Sequence, residues 1–158
     1  MSRSATPAID VRPARPDDAA GIARLADGLR AALGDPTGNF TPEAIRRDGF
    51  GPDPEFQIMV ADRSGELVGY ALFTTAYEPA YAAKGVYMAD LFVAQAARKQ
   101  GVGRRLIQAV AADAKARGRV FVWWVAQAKN APALASYRKL DLIAAAPVVS
   151  HAPLVDGA

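Results

Sequence analysis

The chain has 158 residues, of which 51% are hydrophobic and 22% are charged, a balance typical of one globular domain with a buried core. It contains no cysteine, which excludes disulfides, thiolate metal sites and cysteine nucleophiles. The net charge of +3 permits an acidic partner without requiring one. Since no apolar run is long enough for a membrane span or a signal peptide, we expect a single cytoplasmic domain over residues 1–158, with residues 1–8 as a loose leader.

The first predicted elements are a short strand and an amphipathic helix. Residues 9–12 suit a strand, which the following prolines would end. A helix is predicted from Pro16 to Gly34, because acidic residues open it and glycine closes it. Its core-facing residues recur at helical spacing: Ile22, Leu25, Leu29 and Leu33.

A second, short helix and a hairpin follow. Thr41 and the proline after it are typical of a helix N-terminus, so a helix is predicted over residues 42–47. Residues 56–61 and 67–75 flank a turn and predict two antiparallel strands. Residues 77–85 are predicted to form a loop.

The most informative segment predicts a strand, a basic loop and a helix in series. Residues 86–93 form an apolar run that suits a buried strand, and Gly101 and Gly103 follow in a loop. Glycines allow the backbone to approach a ligand, so the N–H groups of residues 100–105 can converge on negative oxygens at the positive end of the helix dipole. Four cations surround that point: Arg98, Lys99, Arg104 and Arg105. The sequence therefore predicts an anion cradle.

The helix that follows the cradle has one apolar stripe, and Gly118 stands where its C-terminal cap belongs. The stripe consists of Val102, Leu106, Ile107, Val110 and Ala114. Beyond it, residues 120–125 predict a strand, residues 130–140 a helix, and residues 142–149 a last strand. This order of strands and helices favours a mixed sheet.

A glycine-rich loop before a helix is not specific by itself. The dinucleotide pattern G-x-G-x-x-G and the nucleotide-triphosphate pattern G-x-x-x-x-G-K-[ST] are both absent. The pattern present is R-x-x-G-x-G, at Arg98, Gly101 and Gly103. Alone, it is also consistent with a structural turn whose arginines are solvated.

Two further segments make the chain recognisable. Asp90–Val93 precedes the R-x-x-G-x-G loop, and Asn130–Tyr137 follows the next strand. Together these segments resemble the GCN5-related N-acetyltransferase (GNAT) family over nearly the whole chain. Residues 47–56 and 69–73 are similar to those of the diamine and polyamine (spermidine/spermine-type) N-acetyltransferases within that family.

The resemblance implies a fold and an activity. The fold is α/β, with a mostly antiparallel mixed sheet that splays between strands 4 and 5 and is flanked by about four helices. The activity is direct transfer of an acetyl group from acetyl-CoA to a primary amine of a diamine, polyamine or lysine-like amino acid. The resemblance further implies a homodimer. The residues themselves offer no spaced metal ligands, no membrane span and no nucleic-acid recognition helix, so we expect none of these partners.

The resemblance also assigns roles to residues. Tyr137 would protonate the leaving thiolate, and the backbone amide of Leu91 would stabilise the charged oxygen of the intermediate. Asp90, Tyr87 and Trp124 would contact the acceptor. The cofactor would contact a larger set: Leu91, Phe92, Val93, Arg98, Lys99, Gln100, Gly101, Val102, Gly103, Arg104, Asn130, Ala133 and Tyr137.

Structural interpretations stand beside several of these roles. Tyr137 is also consistent with a packed tyrosine on an amphipathic helix, and Asn130 with a helix N-cap. Asp90 is equally consistent with a structural carboxylate that pairs with the backbone or an arginine. His151, the lone histidine, has no ligand or carboxylate spaced with it and suits packing or solvent.

The chain departs from the branch pattern where a base is expected. Ala89 stands where these enzymes usually have glutamate, which leaves Glu78, Tyr81, Tyr87 or a water chain as candidate bases. Arg30 stands on the first helix where acids usually face the acceptor, and it would repel a polycation if its side chain faces the site.

Other functions remain open at this stage. The transferase could act on an antibiotic or protein amine, or the chain could bind acyl-CoA without catalysis. The basic residues between positions 98 and 119 could also hold nucleic acid. Coenzyme A explains that cluster more economically, because it carries a pyrophosphate and a further phosphate.

Overall fold

The structure is a computed structural model that describes residues 5–125. These residues form a five-stranded sheet in the order β1-β2-β3-β4-β5. The elements are β1 Ile9–Pro13, α1 Ala19–Leu33, α2 Pro42–Gly49, β2 Gln57–Arg63, β3 Glu66–Glu78, β4 Ala83–Val93, α3 Val102–Ala116 and β5 Val122–Trp123. Two apolar clusters cover the two faces of the sheet, one with α1 and α2 and the other with α3.

The sheet is mixed, as predicted. Strands β1 to β4 pair antiparallel, whereas β4 and β5 are parallel and pair at Val86–Val122 and Tyr87–Trp123. From Met88 to Val93, β4 has no strand partner on its β5 side within residues 5–125. Within the described residues, the sheet is therefore open between β4 and β5 beyond Tyr87, and the predicted mixed α/β fold class is confirmed.

The predicted loop over residues 77–85 is wrong. β3 continues to Glu78 and β4 starts at Ala83, with a short 3-10 turn at Pro79–Tyr81 between them. Gly85 looked like a loop residue, but a Cβ there would lie 2.4 Å from the Phe121 ring. The glycine is needed because that ring packs on the strand backbone.

The first two helices begin and end close to the predicted residues. Ile22 and Leu25 are buried in the core, and Gly34 closes α1 with a φ of 77°. Leu33 is 38% exposed, so its predicted place in the core is wrong, because the last turn extends beyond the apolar cluster. Thr41 caps α2, its hydroxyl accepting from the Ala44 N–H at 3.1 Å.

The third helix confirms the predicted stripe in full. All five stripe residues are buried: Val102, Leu106, Ile107, Val110 and Ala114. The described residues include three α-helices, and the predicted helix over residues 130–140 lies outside them, as does the last predicted strand. β5 is shorter than predicted, with ladder pairing at Val122–Trp123 alone rather than over residues 120–125.

Candidate active site

Within residues 5–125, the edge of β4 that faces the opening has no neighbouring strand beyond Tyr87. The Ala94 N–H donates to the Val68 carbonyl at 2.8 Å, so Ala94 directs its backbone groups towards β3. In an antiparallel ladder the direction alternates from residue to residue. The backbone groups of Phe92 therefore face β3, whereas those of Leu91 and Val93 face the opening. Two of the residues predicted to bind cofactor through the backbone thus present it on the open side.

A β-bulge lies next to this edge. The ladder pairs Leu72 with Asp90 and then Phe73 with Met88, which leaves Ala89 as the extra residue. Met88 belongs to the cluster around α3, whereas Asp90 contacts Tyr70 on the opposite face. Without the bulge, two residues separated by one would share a face. The bulge thus turns Asp90 towards the side of α1.

The glycine loop forms an uncapped helix N-terminus. Gly101 is the N-cap of α3 with a φ of 75° and no side-chain cap, so the first-turn N–H groups remain available to an anion. Lys99 also adopts a left-handed φ of 60°. A Cβ on Gly103 would have the Val93 side chain as its nearest neighbour, at 3.8 Å. The protein's own packing therefore does not require this glycine, and the space beside it suits a close ligand.

The predicted cluster of cations divides into two groups. The Arg98 Nε donates to the Val93 carbonyl at 2.9 Å, and its guanidinium lies 5.7 Å from the centre of the Phe92 ring. Arg105 donates to the Ile9 carbonyl at 2.8 Å. Lys99 and Arg104 are exposed. Some cations therefore brace the loop, while others reach solvent beside the helix N-terminus.

Gln100 also braces this loop. Its side-chain amide donates to the Ala96 carbonyl at 3.3 Å and accepts from Arg63 at 3.2 Å. Because Arg63 is the last residue of β2, this strand holds the loop in place. The loop is positioned before any ligand arrives, which lowers the entropy that binding must overcome.

Asp90 forms a buried polar cluster with Tyr70 and Arg30. The side chain of Asp90 is 8% exposed and is ion-paired with Arg30, and the Tyr70 hydroxyl donates to the same carboxylate oxygen at 2.8 Å. Burial and the Asp90 charge raise the pKa of Tyr70 well above its usual range. Although burial lowers the pKa of Arg30, its hydrogen bond to Asp90 and the Asp90 charge raise that pKa overall. The Tyr70 hydroxyl therefore remains a donor at neutral pH.

This geometry bears on two expectations. The carboxylate of Asp90 is committed to an arginine, as the structural interpretation expected, so it is not a free base. Sequence reasoning missed Tyr70, whose one signal is a hydroxyl-bearing residue in the middle of an apolar strand. It pointed to Arg30 as an unusual cation, but could not show which carboxylate it pairs with.

The aromatic residues predicted near the acceptor lie on two faces. The Tyr87 ring is 4.6 Å from the Trp123 ring, centre to centre, and Trp123 is 39% exposed. Strand alternation places Tyr87 on the face of Asp90, because its neighbour Met88 faces α3. Trp124 packs against the cluster around α3. Trp123, which was not selected from the sequence, is thus the tryptophan that lies beside Tyr87.

Two candidate bases lie far from the bulge. The Glu78 carboxylate accepts from the Ala80 N–H at 3.0 Å in the hairpin turn, and Tyr81 is 83% exposed in the same turn. Glu78 lies six residues beyond Leu72, the partner of Asp90, or about 20 Å along the strand. Neither side chain is in reach of the open β4 edge.

A shallow cavity of about 110 Å³ lies elsewhere, lined by Phe50, Phe56, Met59, Phe73 and Asp113 among others. The carboxylate of Asp113 in its lining is ion-paired with Arg117. It includes none of the predicted site residues, so we do not assign it a catalytic role. Asn130, Ala133 and Tyr137 lie outside the described residues. Within residues 5–125, no helix has the length and apolar character to cross a membrane.

Comparisons with known proteins agree with this geometry. The family model described as the acetyltransferase (GNAT) family matches residues 26–142. The thialysine N-epsilon-acetyltransferase of Mus musculus is 37% identical over 84 residues, which cover 48% of this chain and 49% of that protein. The Bos taurus enzyme of the same name is 32% identical over 118 residues, 68% of each chain. This chain thus spans about half the length of the mouse relative that it matches.

Solved structures share the fold. An aminoglycoside N-acetyltransferase in complex with CoA matches with a TM-score of 0.77 at 16% identity, covering 96% of this chain and 98% of that one. At this identity the likeness concerns the fold alone.

Proposed function

The chain belongs to the acetyltransferase (GNAT) family, and on that premise we propose that it transfers an acetyl group from acetyl-CoA directly to a primary amine of a small molecule. The observation that carries the proposal is the open edge of β4 beside the uncapped N-terminus of α3. Leu91 and Val93 turn their backbone groups to the opening, and Gly101 leaves the helix N–H groups free for phosphate oxygens.

Acetyl-CoA is the cofactor of this family, and it supplies the activated acetyl group as a thioester. We propose that the first-turn N–H groups of α3, from Val102 to Arg104, hold its phosphates with help from Lys99. Leu91 and Val93 would bind the pantetheine arm as an added strand would, together with Asn130 and Ala133. The loop is already braced by Arg98 and Gln100, so the chain's own residues fit the cofactor.

The chemistry requires a neutral amine, a stabilised oxygen and a proton donor. Deprotonating a primary amine with a pKa near 10.4 at neutral pH costs about 4 kcal/mol, which a base or a desolvated pocket must offset. The Leu91 N–H would stabilise the oxygen of the tetrahedral intermediate. Tyr137 would protonate the departing thiolate.

The acceptor is proposed to be a diamine, a polyamine or a lysine-like amino acid. Its binding surface would include the face that carries Tyr87 and Asp90, with Trp124 behind it. The relatives named for thialysine support a small amine. With Asp90 paired to Arg30, we propose that a water chain removes the proton from the amine.

A second function is favoured by one observation. Ala89 stands where a glutamate base is expected, and the nearest carboxylate, Asp90, is ion-paired. A module that binds acyl-CoA without transferring the acyl group would need no base. It would bind the cofactor tightly and show no turnover.

Thiol release from acetyl-CoA across a panel of diamines, polyamines, lysine analogues and aminoglycosides separates these functions. We expect turnover on one class of amine, falling about a hundredfold or more in Tyr137→Phe. Tyr77→Phe is the matched control, because Tyr77 is 59% exposed near the hairpin turn. Cofactor binding with no turnover on any amine would favour the binding module instead.

A further inference from the structure

The guanidinium of Arg30 has N–H donors without a hydrogen-bond acceptor within residues 5–125. A guanidinium has five N–H donors, and within residues 5–125 one of the terminal nitrogens of Arg30 forms a hydrogen bond, to Asp90. The other terminal nitrogen lies 3.7 Å from Asp35, beyond hydrogen-bond distance, and the Asp35 side chain is 50% exposed. The side chain of Arg30 is itself 31% exposed. It is therefore anchored to Asp90 by one nitrogen, while part of its side chain stays accessible near Asp35.

Arg30 lies at the end of α1 that packs on β4 next to the bulge. Arg30 lies in the last turn of α1, and its partner Asp90 adjoins the bulge at Ala89. Two residues earlier in α1, a Cβ on Gly28 would lie 3.1 Å from the Phe92 ring, so the helix packs closely on β4. An acceptor that approaches the open edge from the α1 side meets the guanidinium.

The buried carboxylate of this cluster offers no free counter-charge to a polycation, because Asp90 is paired with Arg30. At the accessible edge, an acceptor with several ammonium groups would meet the Arg30 guanidinium and, 3.7 Å from it, the exposed carboxylate of Asp35. A carboxylate would instead find a planar donor pair of the geometry that arginine offers for bidentate binding.

We propose that Arg30 is the residue that determines acceptor specificity, because it binds a carboxylate on the acceptor. The substrate would thus be a primary amine that also carries a carboxylate, in preference to a diamine or polyamine. Asp90 and Tyr70 act as positioning residues that hold the guanidinium. This inference rests on the proposed acetyltransferase function.

Matched pairs of amines test the inference on the wild-type protein. Lysine and cadaverine differ by the carboxylate, as do ornithine and putrescine, and lysine amide keeps the size of lysine without the charge. We expect kcat/KM for lysine to exceed that for cadaverine and for lysine amide by at least tenfold, or about 1.4 kcal/mol. Equal values for all three would overturn the role of Arg30 and leave the acetyltransferase function standing.

Variants of Arg30 test the residue itself. Arg30→Met should lower the lysine-to-cadaverine ratio of kcat/KM at least tenfold, and Arg30→Lys should restore part of it. Because Arg30→Met leaves the buried carboxylate of Asp90 unpaired and can prevent folding, the double variant Arg30→Met/Asp90→Asn removes both charges and should show the same fall.

The control variant is Arg15→Met. Arg15 is exposed four residues before α1 begins at Ala19, and the helix between Ala19 and Arg30 alone is about 17 Å long, so the loss of Arg15 should leave the ratio unchanged. The same ratio in the Arg30 and Arg15 variants would overturn the inference. Acetylation of no amine at all by the wild-type protein would overturn the proposed function, and the inference with it.

Discussion

At Gly103, a side chain is expected to affect the stability of the fold and the binding of the cofactor in different ways. Its backbone lies within α3, where glycine costs about 0.5–1 kcal/mol relative to alanine, and a Cβ there would meet nothing closer than 3.8 Å. Packing and helix propensity would therefore both accept a side chain at this position. The family resemblance, by contrast, assigns this residue to the cofactor.

We predict that Gly103→Ala changes stability and cofactor affinity in opposite directions. The free energy of unfolding should rise by up to about 1 kcal/mol, because alanine is the better helix former. The dissociation constant for acetyl-CoA should rise at least tenfold, because the methyl group occupies space beside the helix N–H groups. Urea denaturation and calorimetric titration measure the two effects, and unchanged affinity would remove Gly103 from the proposed cofactor site.

Single residues also show how far the sequence could predict the site. Gly101 was predicted correctly to stand at a helix N-terminus, because that signal is local, whereas Gly103, which was predicted in the loop, lies in the first turn of α3. The Arg30–Asp90 contact joins residues 60 positions apart, so no local pattern indicates it. The bulge at Ala89 is one extra residue in the β3–β4 ladder, and the sequence of β4 has no pattern that distinguishes it from that of a regular strand.

At the scale of elements, the start of α1 is tied to two strands by a charged cluster. Arg12 on β1 forms ion pairs with Asp18 at 2.7 Å and with Asp62 at 3.1 Å. The hydrogen bond from Arg12 holds the pKa of Asp18 below its usual value. The contribution of Asp18 to stability is thus present above its unfolded-state pKa, and it is lost as the pH falls through the lower folded-state pKa.

We predict that Asp18→Asn lowers the free energy of unfolding by about 2 kcal/mol at neutral pH, and that this difference from wild type shrinks below about pH 4. The control is Asp17→Asn, since Asp17 is an exposed neighbour of the same charge. Chemical denaturation over a range of pH measures both variants. An equal loss at every pH would contradict an electrostatic origin.

The hairpin of β3 and β4 is the element that the sequence predicted least well. Pro79 and Gly85 are ordinary loop signals, yet Gly85 lies in the strand because the Phe121 ring packs on it. The stripe of α3 was predicted in full, because helical periodicity is a property of one segment. The length of β3 depends on its pairing with β4, and strand pairing involves two segments, so it cannot be predicted from either segment alone.

We predict that Gly85→Ala destabilises the protein by about 1–3 kcal/mol, because its Cβ would lie 2.4 Å from the Phe121 ring. The same substitution in a Phe121→Ala background should cost much less, since the obstructing ring is gone. Thermal denaturation of the four proteins in this cycle gives the coupling. Additive effects would show that the ring does not account for the glycine.

At the scale of the whole molecule, the parts of the site come from elements distant in sequence. The described fold brings the N-terminus of α3, the open edge of β4 and the last turn of α1 to one opening in the sheet. Periodicity and caps predicted the elements and a mixed sheet, whereas the opening between strands 4 and 5 was implied only by the family resemblance. The choice of acceptor depends on contacts between side chains from different elements. The sequence does not indicate these contacts, so it could not select one class of amine.

Mass spectrometry of the products formed from acetyl-CoA and lysine is the direct test of the proposed acetyl transfer. We expect many equivalents of N-acetylated lysine per equivalent of protein, and none when the protein is left out. The same measurement with the amines of the acceptor panel defines the range of substrates. If acetyl-CoA binds and is recovered intact with every amine, the chain is not a transferase, and the proposed function is wrong.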